Sequence, residues 1–187
     1  MFKYIFLLLI LSFYQPVFST EDTISQAVAR YLTRIHKYME AEDWINAERE
    51  LEQTARRYFK NEDSYERALI NQLYGQFYAM QRDYKNAIPW FEKAIAKGRL
   101  PFAADLQVTY SLAQCYFQTG RYTDVINTLE NYRTKASKRG QNMAPVQLMV
   151  LGIAYFQEQE ILKAYLNIAE ANATSTKLNE EWLQYEF

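Results

Sequence analysis

The chain holds few of the side chains that do covalent or metal chemistry. It has one histidine, His36, and one cysteine, Cys115, with no HExxH run, no CxxC pair and only five glycines, none in a phosphate-cradling loop. Nucleophilic and metal-assisted mechanisms therefore lack their parts, and no catalytic, metal-ligating or cofactor-binding residue is assigned. Paired carboxylates could be drawn from Glu40, Glu42, Asp43, Glu48 and Glu50, but these surround a turn and the outer side of a helix and read as a solvated face. His36 reads as a surface polar residue. Cys115 cannot pair within the chain and sits beside Tyr116 on a crowded apolar face, so it reads as a small core residue. Asn172-Ala173-Thr174 matches a glycosylation acceptor, which matters only in a eukaryotic secretory pathway.

Charge narrows the partner class. Arg133, Lys135, Lys138 and Arg139 form a basic cluster before the last repeat, with Arg56, Arg57 and Lys60 in the equivalent place after the first, and both read as exposed basic connections. Beyond residue 19 the chain carries 20 basic against 22 acidic residues, a balance that argues against nucleic acid as a partner.

The elements that position these residues come from a block repeated four times. Aligned on a tyrosine, the copies run Tyr38, Ala47, Leu51; Tyr78, Ala87, Phe91; Tyr116, Val125, Leu129; and Tyr155, Ala164, Ile168, with constant offsets of nine and thirteen. An aromatic or apolar residue follows each tyrosine by six (Trp44, Tyr84, Tyr122, Ile161), and three copies place a tiny residue three before it (Gly75, Ala113, Gly152). Apolar residues within a copy fall at helical steps, as Ala87, Phe91 and Ala94 do. Each copy is thus a helix pair whose apolar face is hidden only by stacking on the next. The tiny residue lets the two backbones approach, and the tyrosine and the Phe91-type residue fill the space beside it. Asp43 and Asp83 stand where they can accept the first N–H groups of the second helix, and the third copy turns through Thr119-Gly120. The copies begin near Val28, Ala68, Leu106 and Pro145, spaced 40, 38 and 39 residues apart.

Two segments lie outside this register. Residues 1–19 hold Lys3, the eleven-residue apolar run Tyr4 to Tyr14, and Val17 with Ser19 ahead of Thr20. That pattern predicts a cleaved export signal, since the run is too short to span a bilayer, which takes about 20 residues. An exported, periplasmic or secreted protein with no membrane span after cleavage is expected. At the other end, Leu178 to Phe187 with Trp182 and Tyr185 predicts one more helix against the last pair.

These residues resemble the tetratricopeptide repeat (TPR) family. Tyr74-Gly75 with Tyr78, Tyr84, Ala87, Phe91 and Ala94, and Leu112-Ala113 with Tyr116, Gly120, Tyr122, Val125 and Leu129, carry the likeness most fully. The fourth copy joins through Leu151-Gly152, Tyr155, Ala164 and Ala171, and the first through Tyr38, Trp44, Ala47 and Leu51. The resemblance implies an all-α, right-handed superhelical solenoid over residues 20–187. Its four helix pairs fall at about 28–61, 68–101, 106–139 and 145–178, followed by a C-terminal helix. A narrower likeness, to exported repeat proteins associated with TonB energy-transduction systems, rests on Ser25-Gln26-Ala27-Val28, Leu100-Pro101, Ser111-Leu112-Ala113-Gln114 with Tyr116-Phe117-Gln118, and Asn179-Glu180-Glu181-Trp182.

The family resemblance also implies where a partner binds. The inner wall would be lined by Leu32, Thr33 and His36; Gln72, Leu73 and Gln76; Tyr110, Gln114 and Phe117; and Met149, Ile153 and Phe156. Leu32, His36, Gln107 and Ser111 stand where chaperone-binding members carry a carboxylate clamp, so a different peptide is implied. The expectation is a non-catalytic scaffold that holds a protein or peptide of the cell envelope. The alternatives are a self-assembling module joined through the last copy and Trp182, and a domain holding a lipid or peptidoglycan fragment. Mass spectrometry of the exported protein should find Thr20 as its first residue; a mature chain that still begins at Met1 would refute cleavage.

Overall fold

The computed structural model describes residues 26–58 and 63–174. The export segment, the connection after the first pair, and the C-terminal helix expected at Leu178 to Phe187 lie outside the described residues. Those described residues form eight helices and no strand: α1 (Gln26–Glu40), α2 (Trp44–Tyr58), α3 (Tyr65–Met80), α4 (Tyr84–Ala96), α5 (Phe102–Gln118), α6 (Tyr122–Ser137), α7 (Pro145–Gln157) and α8 (Ile161–Thr174). Each helix packs on the ones before and after it, and the first helices of the last two pairs, α5 and α7, also touch. This is the expected array of four hairpins.

One backbone device makes every hairpin. Four residues after the repeat tyrosine the chain enters the left-handed region, at Glu42 (φ 54°), Arg82 (φ 63°), Gly120 (φ 72°) and Gln159 (φ 63°). Only the third copy supplies the glycine that this conformation favours. The residue after it returns its N–H to the tyrosine carbonyl in all four turns, from Asp43, Asp83, Arg121 and Glu160, each at 2.9 Å. Asp43 Oδ1 then accepts from Asn46 N–H at 3.2 Å and Asp83 Oδ1 from Asn86 N–H at 3.3 Å, so both cap the next helix as their positions suggest.

Inside the hairpins the helices meet where the sequence places its smallest residues. A Cβ on Gly75 would stand 2.5 Å from Phe91 Cδ1, and one on Gly152 would stand 2.7 Å from Ile168 Cγ1 and 3.2 Å from the Ala164 carbonyl. Phe91 is fully enclosed, worth about 1.5–3 kcal/mol of hydrophobic burial, and has nowhere to move. Ala47, Leu51, Ala87, Ala113, Val125, Leu129, Ala164 and Ile168 are buried with it, as are Tyr116 and Tyr155, whereas Tyr38 and Tyr78 are half-buried. The first copy puts Ile35, fully buried, where the others put glycine or alanine.

The interior is not uniform. Val28, Ile35, Met39, Ala47 and Leu51 cluster with Ile70, Leu73 and Phe77 of α3, while a second and larger cluster runs from Ala68 to Ala171. The half-buried Tyr78 packs against both. Trp44 meets Phe77 edge-on at 6.0 Å across the same junction.

Gly75→Ala should lower unfolding free energy by about 1–3 kcal/mol in a urea titration, because the added methyl overpacks a site with no slack. Arg82→Gly should cost nothing or stabilise by up to about 1 kcal/mol, since it relieves the left-handed turn. The reverse order of effects would contradict the geometry.

Candidate partner-binding groove

The second and third hairpins are each joined to the next by a buried tyrosine and a glutamate. Tyr116 Oη of α5 donates to Glu92 Oε1 of α4, and Tyr155 Oη of α7 donates to Glu130 Oε1 of α6 at 3.0 Å. The acceptor immediately follows the large apolar residue of the preceding copy, Phe91 or Leu129. Glu52 holds the same place after Leu51 but takes Arg56 at 2.9 Å on its own helix. This glutamate was a readable signal at offset fourteen that the repeat register overlooked.

The basic cluster before the last repeat is a correction to the sequence reading. Arg133 and Lys135 lie within α6 and are half-buried, because each has a partner on a neighbouring helix. Lys135 Nζ holds Asp105 Oδ2 of α5 at 2.6 Å. Arg133 reaches Glu130 at 3.1 Å, Glu170 of α8 at 3.7 Å and the Asn167 side chain. The Arg139 guanidinium lies 4.3 Å from the centre of the Phe102 ring. Arg133 and Lys135 thus fasten α6 to α8 and α5, while Lys138 and Arg139 lie exposed in the connection after α6, as expected. A shallow recess of about 250 Å³ between α6, α7 and α8 is lined by Glu130, Arg133, Tyr155, Lys163, Leu166, Asn167 and Glu170. Its ionic groups are engaged with one another or, for Lys163, with Glu160 at 2.6 Å.

The residues assigned to the inner wall divide by exposure. Thr33 and Phe156 are exposed; Leu32, His36, Gln72, Gln76, Tyr110, Phe117 and Ile153 are half-buried. Met149 (2% exposed) and Gln114 (9%) are enclosed, and Leu73 belongs to the first core cluster. Met149 packs among the residues of the larger cluster, so its side chain is spent on folding. Phe117 meets Tyr122 edge-on at 5.6 Å, which fixes its ring at the α5–α6 turn. Gln72 Oε1 is shielded from solvent and accepts no hydrogen bond among the described residues. Leaving such an acceptor unmet costs about 1–3 kcal/mol.

The wall is electrically quiet. None of its residues carries a formal charge, and burial lowers the pKa of His36 despite the opposing charge of Glu40, so its imidazole is neutral at pH 7. Burial pushes the Cys115 thiol up to about 12, which leaves it a protonated core residue. Among the described residues no group of three or more His, Cys, Asp or Glu could hold a metal ion, and no helix is long and apolar enough to cross a membrane.

Comparison with known proteins agrees on architecture. Residues 80–142 match the family model described as anaphase-promoting complex, cyclosome, subunit 3. Among solved structures, BtubC from P. vanneervenii superposes with a TM-score of 0.66 at 18% identity, over 78% of this chain and 62% of that one. The nearly identical TPR-like repeats of a kinesin-light-chain-type protein from Podosopora anserina superpose with a TM-score of 0.61 at 16% identity, over 83% and 80%. No curated protein sequence matches the chain. The fold is therefore a TPR-like α-solenoid, and the chain spans about three fifths of the length of the BtubC structure it resembles.

Alkaline pH should unfold this array early. Burial, first, holds the Tyr74 and Tyr155 hydroxyls at about 12, with nearby Glu52 and the Glu130 hydrogen bond adding to the rise. An unfolded tyrosine releases its proton near pH 10 while the folded one keeps it, so stability is lost as pH climbs from about 10 towards 12. Denaturant midpoints measured across that window should fall, and less steeply in Tyr74→Phe; a flat profile would contradict the burial.

Proposed function

We propose that the chain is an exported, non-catalytic scaffold whose inner wall holds an uncharged peptide or helix of another envelope protein. The observation that carries this reading is the wall itself. Its exposed and half-buried part, from Thr33 and His36 through Gln76 and Phe117 to Phe156, offers amides, aromatics and aliphatics with no ionised group among them. Such a surface recognises backbone amides and apolar side chains rather than a terminal carboxylate or a phosphate. Phe117 and Phe156, at the same offset on neighbouring inner helices, would form the apolar anchors.

Location and context come from the sequence. The apolar run ending before Thr20 supports export, and the resemblance to exported TonB-associated repeat proteins makes an energy-transduction complex the first partner to test. Solved structures of TPR-like arrays at 16% and 18% identity support the scaffold architecture alone.

The test is affinity capture from envelope extract with the chain carrying Gln72→Lys, Phe117→Ala and Phe156→Ala together. The expected result is at least a tenfold loss of the captured partner with an unchanged helical circular dichroism spectrum. Equal capture by the triple variant would sink the groove, and a partner recovered only from cytoplasmic extract would sink the location.

A further inference from the structure

The junction between the first and second hairpins is built differently from the two that follow. One core runs from Ala68 through Phe91 and Leu129 to Ala171, and among the described residues none of α1 or α2 enters it. The first hairpin packs instead on one side of α3, against Ile70, Leu73 and Phe77. Its glutamate is also turned away: Glu52 stands where Glu92 and Glu130 hold the tyrosine of the next copy, but it takes Arg56 at 2.9 Å.

Two unmet polar groups are buried on the helices that meet there. Thr54 of α2 and Asn71 of α3 are 1% and 5% exposed, and Thr54 Oγ1 and Asn71 Oδ1 have no hydrogen-bond partner among the described residues. These positions, sixteen after one repeat tyrosine and seven before the next, hold Ala94 with Thr109 and Tyr132 with Leu148 at the later junctions. Both hydroxyls are satisfied there: Thr109 Oγ1 donates to the Asp105 carbonyl at 2.7 Å, and Tyr132 Oη accepts from Gln147 at 3.0 Å. Burying an unmet donor or acceptor weakens a contact, and at this pair of positions only the first junction bears that cost.

We propose that this junction is a break line built into the array: α1 and α2 open as one unit while α3 to α8 stay folded, at a free energy below that of global unfolding. The opened state uncovers Ile70, Leu73 and Phe77, which keeps it a minor population. Opening also takes Leu32, Thr33 and His36 off the inner wall. A partner that reaches the first hairpin therefore closes the junction by mass action, a consequence that rests on the groove reading, whereas the opening itself does not.

Native-state hydrogen exchange of the full chain without a partner tests the break line. The slowest amides of α1 and α2 should share one protection factor, at least about tenfold below that of α5 to α7. Gly152→Ala separates the two ways of opening, because its methyl would stand 2.7 Å from Ile168 Cγ1 and weaken the last hairpin. Protection in α5 to α7 should fall about tenfold while α1 and α2 keep theirs, since the last hairpin is intact when the first one opens. Ile168→Val gives the same pattern in smaller measure if the alanine variant does not fold. Asn71→Leu, which takes the residue of the fourth copy, should raise protection in α1 and α2 about tenfold. Uniform protection along the chain would overturn the proposal, as would a matching fall in α1 and α2 with Gly152→Ala or no gain there with Asn71→Leu. The groove triple variant should leave all these readouts unchanged, which separates failure of the break line from failure of the groove.

Discussion

The array depends on how closely the two helices of each hairpin can approach. Where α3 meets α4, Gly75 surrenders its side chain so that Phe91 can lie against bare backbone, and no room remains for one methyl group. Other copies fill this place with different volumes: Ala113 and Leu129 are both fully buried, and Gly152 lies against Ile168. Helix propensity opposes this choice, because glycine inside a helix costs about 1 kcal/mol relative to alanine. Packing wins, since a fully enclosed phenylalanine contributes more than that and brings the flanking tyrosine into place. With the separation fixed, each hairpin presents a flank of constant shape, and identical flanks can stack.

Stacking adds a polar lock to the apolar contact. Tyr116 to Glu92 and Tyr155 to Glu130 are the same bond made at successive junctions, each satisfying a hydroxyl that burial would otherwise penalise. At the first junction Glu52 turns to Arg56, and there the interior divides into two clusters that meet at Tyr78. The bond, the core and the first copy's bulky Ile35 all change at one boundary. The leading hairpin therefore belongs to the array through aromatic contacts such as Trp44 with Phe77 more than through repeated polar bonding.

Much of this was legible because packing imposes a period. Offsets of nine and thirteen from the tyrosine located buried residues in every copy, and Asp43 and Asp83 announced two helix starts by residue type alone. What did not show was anything that depends on the far side of a helix. Arg133 and Lys135 look like a solvated run in one dimension, yet α5 and α8 bring Asp105 and Glu170 to them. Met149 shares the register of Leu32 and Gln72, but the larger core closes over it because its neighbours Leu148, Val150 and Leu151 are all buried. A wall position says which helix side a residue is on; its exposure depends on the volumes next to it.

The first hairpin departs from the repeat in charge as well as in volume. At the positions eight, four and one before the repeat tyrosine, which α3, α5 and α7 bury or half-bury, α1 carries Arg30, Arg34 and Lys37, all exposed. Leu162 of α8 (71% exposed) and Ile45 of α2 (74% exposed) stand at one register, where Lys85 and Thr123 are exposed too, so that side of every second helix is open to solvent whatever residue fills it. The inner wall is uncharged partly because the fold demands it, since Leu73, Gln114 and Met149 are enclosed, and partly by choice, since Thr33, Gln76 and Phe156 are exposed or half-buried where an ion would be tolerated. The second of these leaves amide and apolar groups on the open part of the wall, which is the kind of surface another polypeptide covers well.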